Sequence, residues 1–272
     1  DPKSDITKYI GYLKNQLKEL ITSYDPYMLW FDGQWEAPWT DEMGKEIYNY
    51  IHALKPGIIC NNRLGKEFAA MENKNIDASR MIGDYDTPEQ VVGRLNMTTP
   101  WESCFTLGDQ WAWKPNDKIK PLQTCLSILS KTAAGNGNLL LNVGPMPDGR
   151  IEQRQIHLLK EIGDWLKVNG EAVYGTKGGP YEPGKNYATT RKANKIYVHV
   201  INTDTSTLAL GAIAGRKVMK AYTMSGEKVA VETGSGSILL QLPPGRAGRL
   251  QYVIVLEMDG NTEDLPVIKS SF

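Results

Sequence analysis

Ile6, Tyr9, Ile10, Leu13, Leu17, Leu20 and Ile21 recur at helical spacing and predict an amphipathic helix, with Ser4 able to cap it and Asp5 in its first turn. A short apolar run, Met28-Leu29-Trp30-Phe31, then stops on Asp32-Gly33, as a buried strand does when it reaches the rim of a pocket. Thr40 caps a second helix striped by Met43, Ile47, Ile51 and Leu54, and Pro56-Gly57 ends it. Ile58-Ile59-Cys60 reads as the next strand, closing on Asn61-Asn62-Arg63. Residues 80–85 and 101–106 read as further strands. A helix over 118–133, a strand over 138–143 and a helix over 152–168 follow, the last terminated by Asn169-Gly170.

Strands alternating with helices predict parallel β/α construction. The texture changes after Gly175. Gly178-Gly179-Pro180 and Pro183-Gly184 mark a linker or first turn, and period-2 alternation begins: Ile196, Val198 and Val200; Ile238, Leu240 and Leu242; Tyr252, Ile254 and Leu256. This predicts an antiparallel β-sandwich over 177–272 behind a β/α domain over 1–176. The fold class is therefore α/β plus all-β. A (β/α)8 barrel takes about 250 residues, more than the first segment holds, and the segment opens on a helix. The segment is therefore either a smaller open sheet or the C-terminal part of such a barrel.

Composition narrows the function. Lys plus Arg and Asp plus Glu both number 31, so no basic surface for nucleic acid is expected. No apolar run approaches a membrane span. Cys60, Cys104 and Cys125 are too dispersed for a disulfide framework and read as small buried hydrophobes. His52, His157 and His199 lack metal-site spacing, so neither a metal nor a cofactor is expected.

In parallel β/α folds the chemistry gathers at the carboxyl ends of strands. Those ends carry Asp32, Asn61-Asn62-Arg63, residues 84–89, residues 102–113 and Asn142. Six of the seven tryptophans (Trp30, Trp35, Trp39, Trp101, Trp111 and Trp113) fall near them, a composition suited to stacking on sugars. Glycoside cleavage needs two carboxyl groups. Asp32 is the first candidate; Glu89, Asp84, Asp86, Glu36, Glu102 and Asp109 compete for the second place. Asn96-Met97-Thr98 fits a glycosylation sequon, a triplet that also arises often by chance.

Leu29-Trp30-Phe31-Asp32-Gly33 resembles the nucleophile motif of the α-L-fucosidases, retaining glycoside hydrolases of family 29. Asn61-Asn62-Arg63, the run from Gly83 to Gln90, Trp101-Glu102-Ser103-Cys104, the run from Gly135 to Pro145 and that from Asn169 to Thr176 resemble further blocks of the family, in family order. The resemblance implies a (β/α)8-like barrel followed by a β-sandwich, with the first three strands absent here and Asp32 ending the fourth. It implies Asp32 as nucleophile and Glu89 as general acid/base, with Trp30, Arg63 and Trp113 lining the fucose. It implies hydrolysis of terminal α-L-fucosyl residues from oligosaccharides or glycoconjugates, outside the cytoplasm (periplasmic, secreted or lysosomal), with an N-terminal fragment as the partner that completes the barrel. Two other readings keep the scaffold: a non-catalytic carbohydrate-binding fragment, and a retaining glycosidase for another sugar.

Overall fold

The computed structural model describes residues 5–66, 81–234, 236–246 and 248–269. The chain divides into two compact units, Asp1–Val91 with Thr98–Glu102, and Val92–Met97 with Ser103–Phe272.

The first unit opens on α1 (Ile6–Tyr24), capped by Asp5, whose carboxylate accepts from the Thr7 N–H. Ser4, the expected cap, lies outside the described residues. α2 (Asp41–Leu54) starts as its sequence dictates: Thr40 Oγ1 accepts from the Met43 N–H, and Asp41 and Glu42 occupy the first turn. Between the helices, β1 (Met28–Leu29) pairs in parallel with β2 (Ile59–Cys60). The staircase continues beyond the strands proper, through parallel bridges from Asn61 to Tyr85 and from Asp86 to Trp101. Four chain segments thus lie side by side in sequence order, the arrangement that β/α periodicity implies. Residues 80–85 read as a strand, yet among the described ones only Tyr85 bridges. The chain bends over 82–84, where Gly83 has φ 153° and lies so close to the Asn61 carbonyl that a Cβ would meet the oxygen at 2.4 Å. Ile10, Leu17, Ile21, Ile47, Ile51 and Ile58 form the core. The apolar stripe of α1 is wider than this core: Tyr9 and Leu20 from the stripe remain exposed, as do Tyr12 and Tyr24.

The second unit contains the remaining elements. β3 (Glu102–Thr106), whose first residue belongs to the first unit, pairs with β4 (Asn138–Asn142). α3 (Leu122–Ala134) begins four residues later than periodicity suggested, because Pro121 disfavours helix at the residue before it and takes the capping position. α4 (Gln153–Asn169) ends where expected, but Gly170 is right-handed (φ −62°) and the chain runs on into a 3-10 turn, Gly170–Ala172. Cys60, Cys104 and Cys125 are buried and form no disulfide with one another.

Eight strands follow: β5 (Lys177–Gly178), β6 (Tyr187–Lys192), β7 (Lys195–Val200), β8 (Thr207–Gly211), β9 (Val218–Thr223), β10 (Ala230–Thr233), β11 (Ser237–Gln241) and β12 (Tyr252–Met258). They form two antiparallel sheets, ordered β5-β6-β7-β12-β9 and β10-β11-β8. Alternate residues of both sheets interleave in one core, including Val198, Ile254 and Leu256 from the first and Leu210, Ile238 and Leu240 from the second. The alternation predicted one buried face for β7 and β12, whereas both faces are covered. Tyr197, Val253 and Val255, on the opposite face, pack with Leu126, Leu158, Ile162 and Trp165 of α3 and α4. Gln251 reinforces that contact. Its backbone N–H donates to Gln123 (3.0 Å), its Nε2 donates to the Leu126 carbonyl and Ser130 Oγ, and its own carbonyl accepts from Trp165 Nε1 (2.9 Å). Among the described residues no helix is long and apolar enough to cross a membrane.

Candidate active site

The site is built around one buried cation. The Arg63 side chain is 2% exposed, and a guanidinium so placed needs counter-charge and hydrogen bonds to its donors. Nη1 donates to Asp32 Oδ1 at 2.8 Å, and Nη2 lies 2.8 Å from Glu89 Oε2. Nε donates to Thr87 Oγ1 (3.0 Å) and Nη2 also to the Thr87 carbonyl (3.2 Å). The guanidinium carbon lies 4.6 Å from the centre of the Trp30 ring, a cation–π contact. The two carboxylates that Arg63 holds are 49% and 36% exposed, so they present charge at an open rim from a buried anchor.

Each member is placed by a strand end. Phe31 and Asn61 exchange two hydrogen bonds, the Phe31 N–H to Asn61 Oδ1 (2.9 Å) and Asn61 Nδ2 to the Phe31 carbonyl (2.8 Å). This pair continues the β1–β2 register past its last ladder residue and fixes where Asp32 emerges. Asn62 accepts from Thr87 Oγ1 (2.8 Å) and donates to Asp86 Oδ1 (2.5 Å), and Asp86 also accepts from the Thr87 N–H. The loop bearing Glu89 is thereby tied to the loop bearing Arg63.

The competing carboxylates separate by environment. Asp86 is 1% exposed and engaged by Asn62 and Thr87, a structural role. Asp84 accepts from the Tyr48 hydroxyl (2.6 Å) and the Cys60 N–H (2.7 Å). Glu36 is exposed, and with Asp32, Gln34, Trp39 and Arg63 it lines a cavity of ≈ 280 Å³. Asp109 is exposed in the second unit. Glu102 accepts from Trp30 Nε1 at 3.1 Å. Burial holds its carboxyl above the ordinary range, against the opposing pull of the Trp30 hydrogen bond and the Arg63 charge.

The tryptophans divide as well. Trp30, Trp35 and Trp111 are exposed and available for stacking, whereas Trp101 (1% exposed) and Trp39 (8%) are core residues, Trp39 donating to the Leu64 carbonyl. Trp113 belongs to the second unit, where its backbone presses on Gly144 so closely that a Cβ there would meet the Trp113 nitrogen at 2.6 Å. One group of residues met only in the structure: His52, Cys60 and Asp84, dispersed in sequence, bring their ligand atoms within 4.8 Å of one another.

Residues 1–171 match the family model described as alpha-L-fucosidase. The chain belongs to the α-L-fucosidase family. An α-L-fucosidase of Branchiostoma floridae is 28% identical over 94% of this chain, and the human tissue α-L-fucosidase is 26% identical over 67%. The chain spans 58% of the first relative's length and 39% of the second's. Among solved fucosidase structures, isoenzyme 1 of Paenibacillus thiaminolyticus aligns with a TM-score of 0.79 at 28% identity, covering 94% of this chain and 63% of that one. A Bacteroides thetaiotaomicron family-29 fucosidase, trapped as a covalent intermediate with 2-fluoro-fucosyl fluoride, aligns at 0.81 and 26% identity, covering 94% and 62%.

Proposed function

We propose that this chain carries the nucleophile-bearing part of a retaining α-L-fucosidase. The observation that carries the reading is the bridging of Asp32 and Glu89 by one buried arginine, which presents two carboxyl groups to the same small region. In the proposed double displacement, Asp32 attacks the anomeric carbon while Glu89, protonated, donates to the leaving oxygen. Glu89 then acts as base on the water that releases fucose from the covalent intermediate. The Bacteroides relative, trapped as such an intermediate, supports the covalent step. Arg63 and Trp30 line the sugar, and Trp113 supplies an apolar wall beside its methyl group.

The same reading assigns 1–176 to the C-terminal part of a (β/α)8-like barrel, roughly strands 4 to 8, and 177–272 to the sandwich. The missing strands belong to the length by which the relatives exceed this chain. The exposed side chains along α1, Tyr12, Leu20 and Tyr24 among them, support a further barrel element over that helix. An N-terminal portion is the partner that completes the pocket, and the isolated chain then binds carbohydrate weakly or not at all. The substrate is a fucosylated glycan met in the periplasm, in secretions or in the lysosome.

A second reading exchanges the acid. Burial raises the pKa of Glu102 against the pull of the Trp30 hydrogen bond and the Arg63 charge, the direction a general acid requires. Azide rescue separates the two in the barrel-complete enzyme. Asp32→Gly abolishes turnover of an aryl fucoside, and azide partly restores it as a glycosyl azide. The acid/base variant, Glu89→Gln or Glu102→Gln, retains attack on substrates with good leaving groups and is rescued by azide with retained configuration. Undiminished activity in Asp32→Gly refutes the nucleophile. A panel of aryl glycosides tests the sugar.

A further inference from the structure

His52, Cys60 and Asp84 lie on three elements of the first unit: the last turn of α2, β2, and the bend that follows Gly83. The histidine presents an anomaly. Its Nδ1 lies 3.3 Å from the Pro56 carbonyl, which can only accept, so the proton of the neutral ring sits on Nδ1. Nε2 then offers a lone pair, and it is buried with no hydrogen-bond partner, 3.5 Å from Asp84 Oδ2. A lone pair facing a carboxylate is repulsive unless a cation lies between them. A proton is one such cation. The third neighbour, the Cys60 sulfur on a fully buried residue, indicates another.

We propose that His52 Nε2, Cys60 Sγ and Asp84 form a binding site for a divalent zinc-like cation. One imidazole, one thiolate and one carboxylate are the borderline donor set that Zn²⁺ prefers, leaving a fourth position for water. Two anionic ligands neutralise the ion. Zinc replaces the Cys60 thiol proton, which leaves to solvent as the Zn–S bond forms, and the Asp84 carboxylate and neutral His52 bind without losing a proton. The outer contacts match those of metal ligands: the Pro56 carbonyl fixes the histidine tautomer, and the Tyr48 hydroxyl and Cys60 N–H orient the carboxylate. The ligand atoms lie within 4.8 Å of one another, and coordination draws them together by about 1 Å, a displacement reached by side-chain rotation. The site ties α2 to two neighbouring segments of the parallel staircase.

Cobalt titration of the whole chain tests this. One equivalent of Co²⁺ is expected to give a thiolate-to-metal charge-transfer band in the near ultraviolet with tetrahedral visible bands, and one equivalent of Zn²⁺ to displace it. Cys60→Ala removes the band, and His52→Gln weakens zinc binding, measured against a chromophoric chelator, by at least roughly tenfold. The wild-type spectrum decides the question even if either variant fails to fold. A cobalt spectrum with no thiolate band overturns the site, as does equal zinc affinity in wild type and Cys60→Ala.

Discussion

Arg63 sits over the Trp30 ring, its guanidinium carbon 4.6 Å from the centre, and the Nε1 of the same indole donates to Glu102. One aromatic side chain therefore touches the cation that holds Asp32 and Glu89, and also the carboxyl group with the raised pKa. Trp30→Phe separates the two contacts. It keeps an aromatic face for Arg63 and removes the hydrogen bond that lowers the Glu102 pKa. The Glu102 pKa is expected to rise further, which carbon-detected NMR titration of the side-chain carboxyl will read. An unchanged or lower value contradicts the assignment.

The shared cation makes Asp32 and Glu89 energetically coupled. Either carboxylate alone still compensates Arg63, so Asp32→Asn or Glu89→Gln costs little, about 1 kcal/mol or less, since both groups are partly exposed. The double variant removes both of these contacts from a buried guanidinium and is expected to lose about 3 kcal/mol, more than the singles combined. Urea denaturation of the four proteins closes the cycle; strict additivity would show that Arg63 is not held by both.

Glu102 makes stability fall with rising pH. Its folded pKa lies above its unfolded value, so the native state binds the proton more tightly. That contribution is complete below the ordinary carboxyl pKa of 4.5 and is lost as pH climbs through the raised folded value. Glu102→Gln removes this dependence. The unfolding midpoint of wild type relative to the variant is expected to drop as pH rises above 4.5 through the raised folded value, measured by thermal melts across the acid-to-neutral range.

His199 acts in the opposite direction. It is fully buried beside Thr190 Oγ1, and burial lowers its pKa from 6.5 to about 4. Since the unfolded state takes up the proton first, stability is full above 6.5 and falls as pH drops toward 4. His199→Gln should flatten the acid side of the stability profile, whatever its effect at pH 7.

Gly83 tolerates no side chain. A Cβ would meet the Asn61 carbonyl oxygen at 2.4 Å and the Asn62 Cα at 2.6 Å, backbone atoms that cannot rotate away. Gly83→Ala is expected to cost at least about 2 kcal/mol and to displace the segment leading to Arg63. A lowered urea-denaturation midpoint checks it, and an unchanged midpoint contradicts it.

Much of this was legible in the sequence, for local reasons. Helical periodicity with Thr40 at the cap gave α2, and an apolar run ending on a carboxylate marked Asp32, because both signals lie within a few residues. Arg63 entered through family resemblance rather than periodicity. Its partners lie 24 to 33 positions away in the chain, and no spacing rule reports such meetings. The same limit hid the Trp30–Glu102 hydrogen bond, 72 residues apart, and the meeting of a helix end, a strand and a bend at His52, Cys60 and Asp84. Binary patterning gave the sandwich but not the second buried face of β12, since Val253 and Val255 look like ordinary outward β-branched residues until α3 and α4 cover them.

Gln251 gives that covered face a dynamic consequence. Its hydrogen bonds to Gln123, Leu126, Ser130 and Trp165 join the start of β12 to two helices that lie more than 80 residues earlier in the chain. The amides of α3 and of β12 are therefore expected to exchange with deuterium by the same opening event, in a block that crosses the line at which the sequence changes texture.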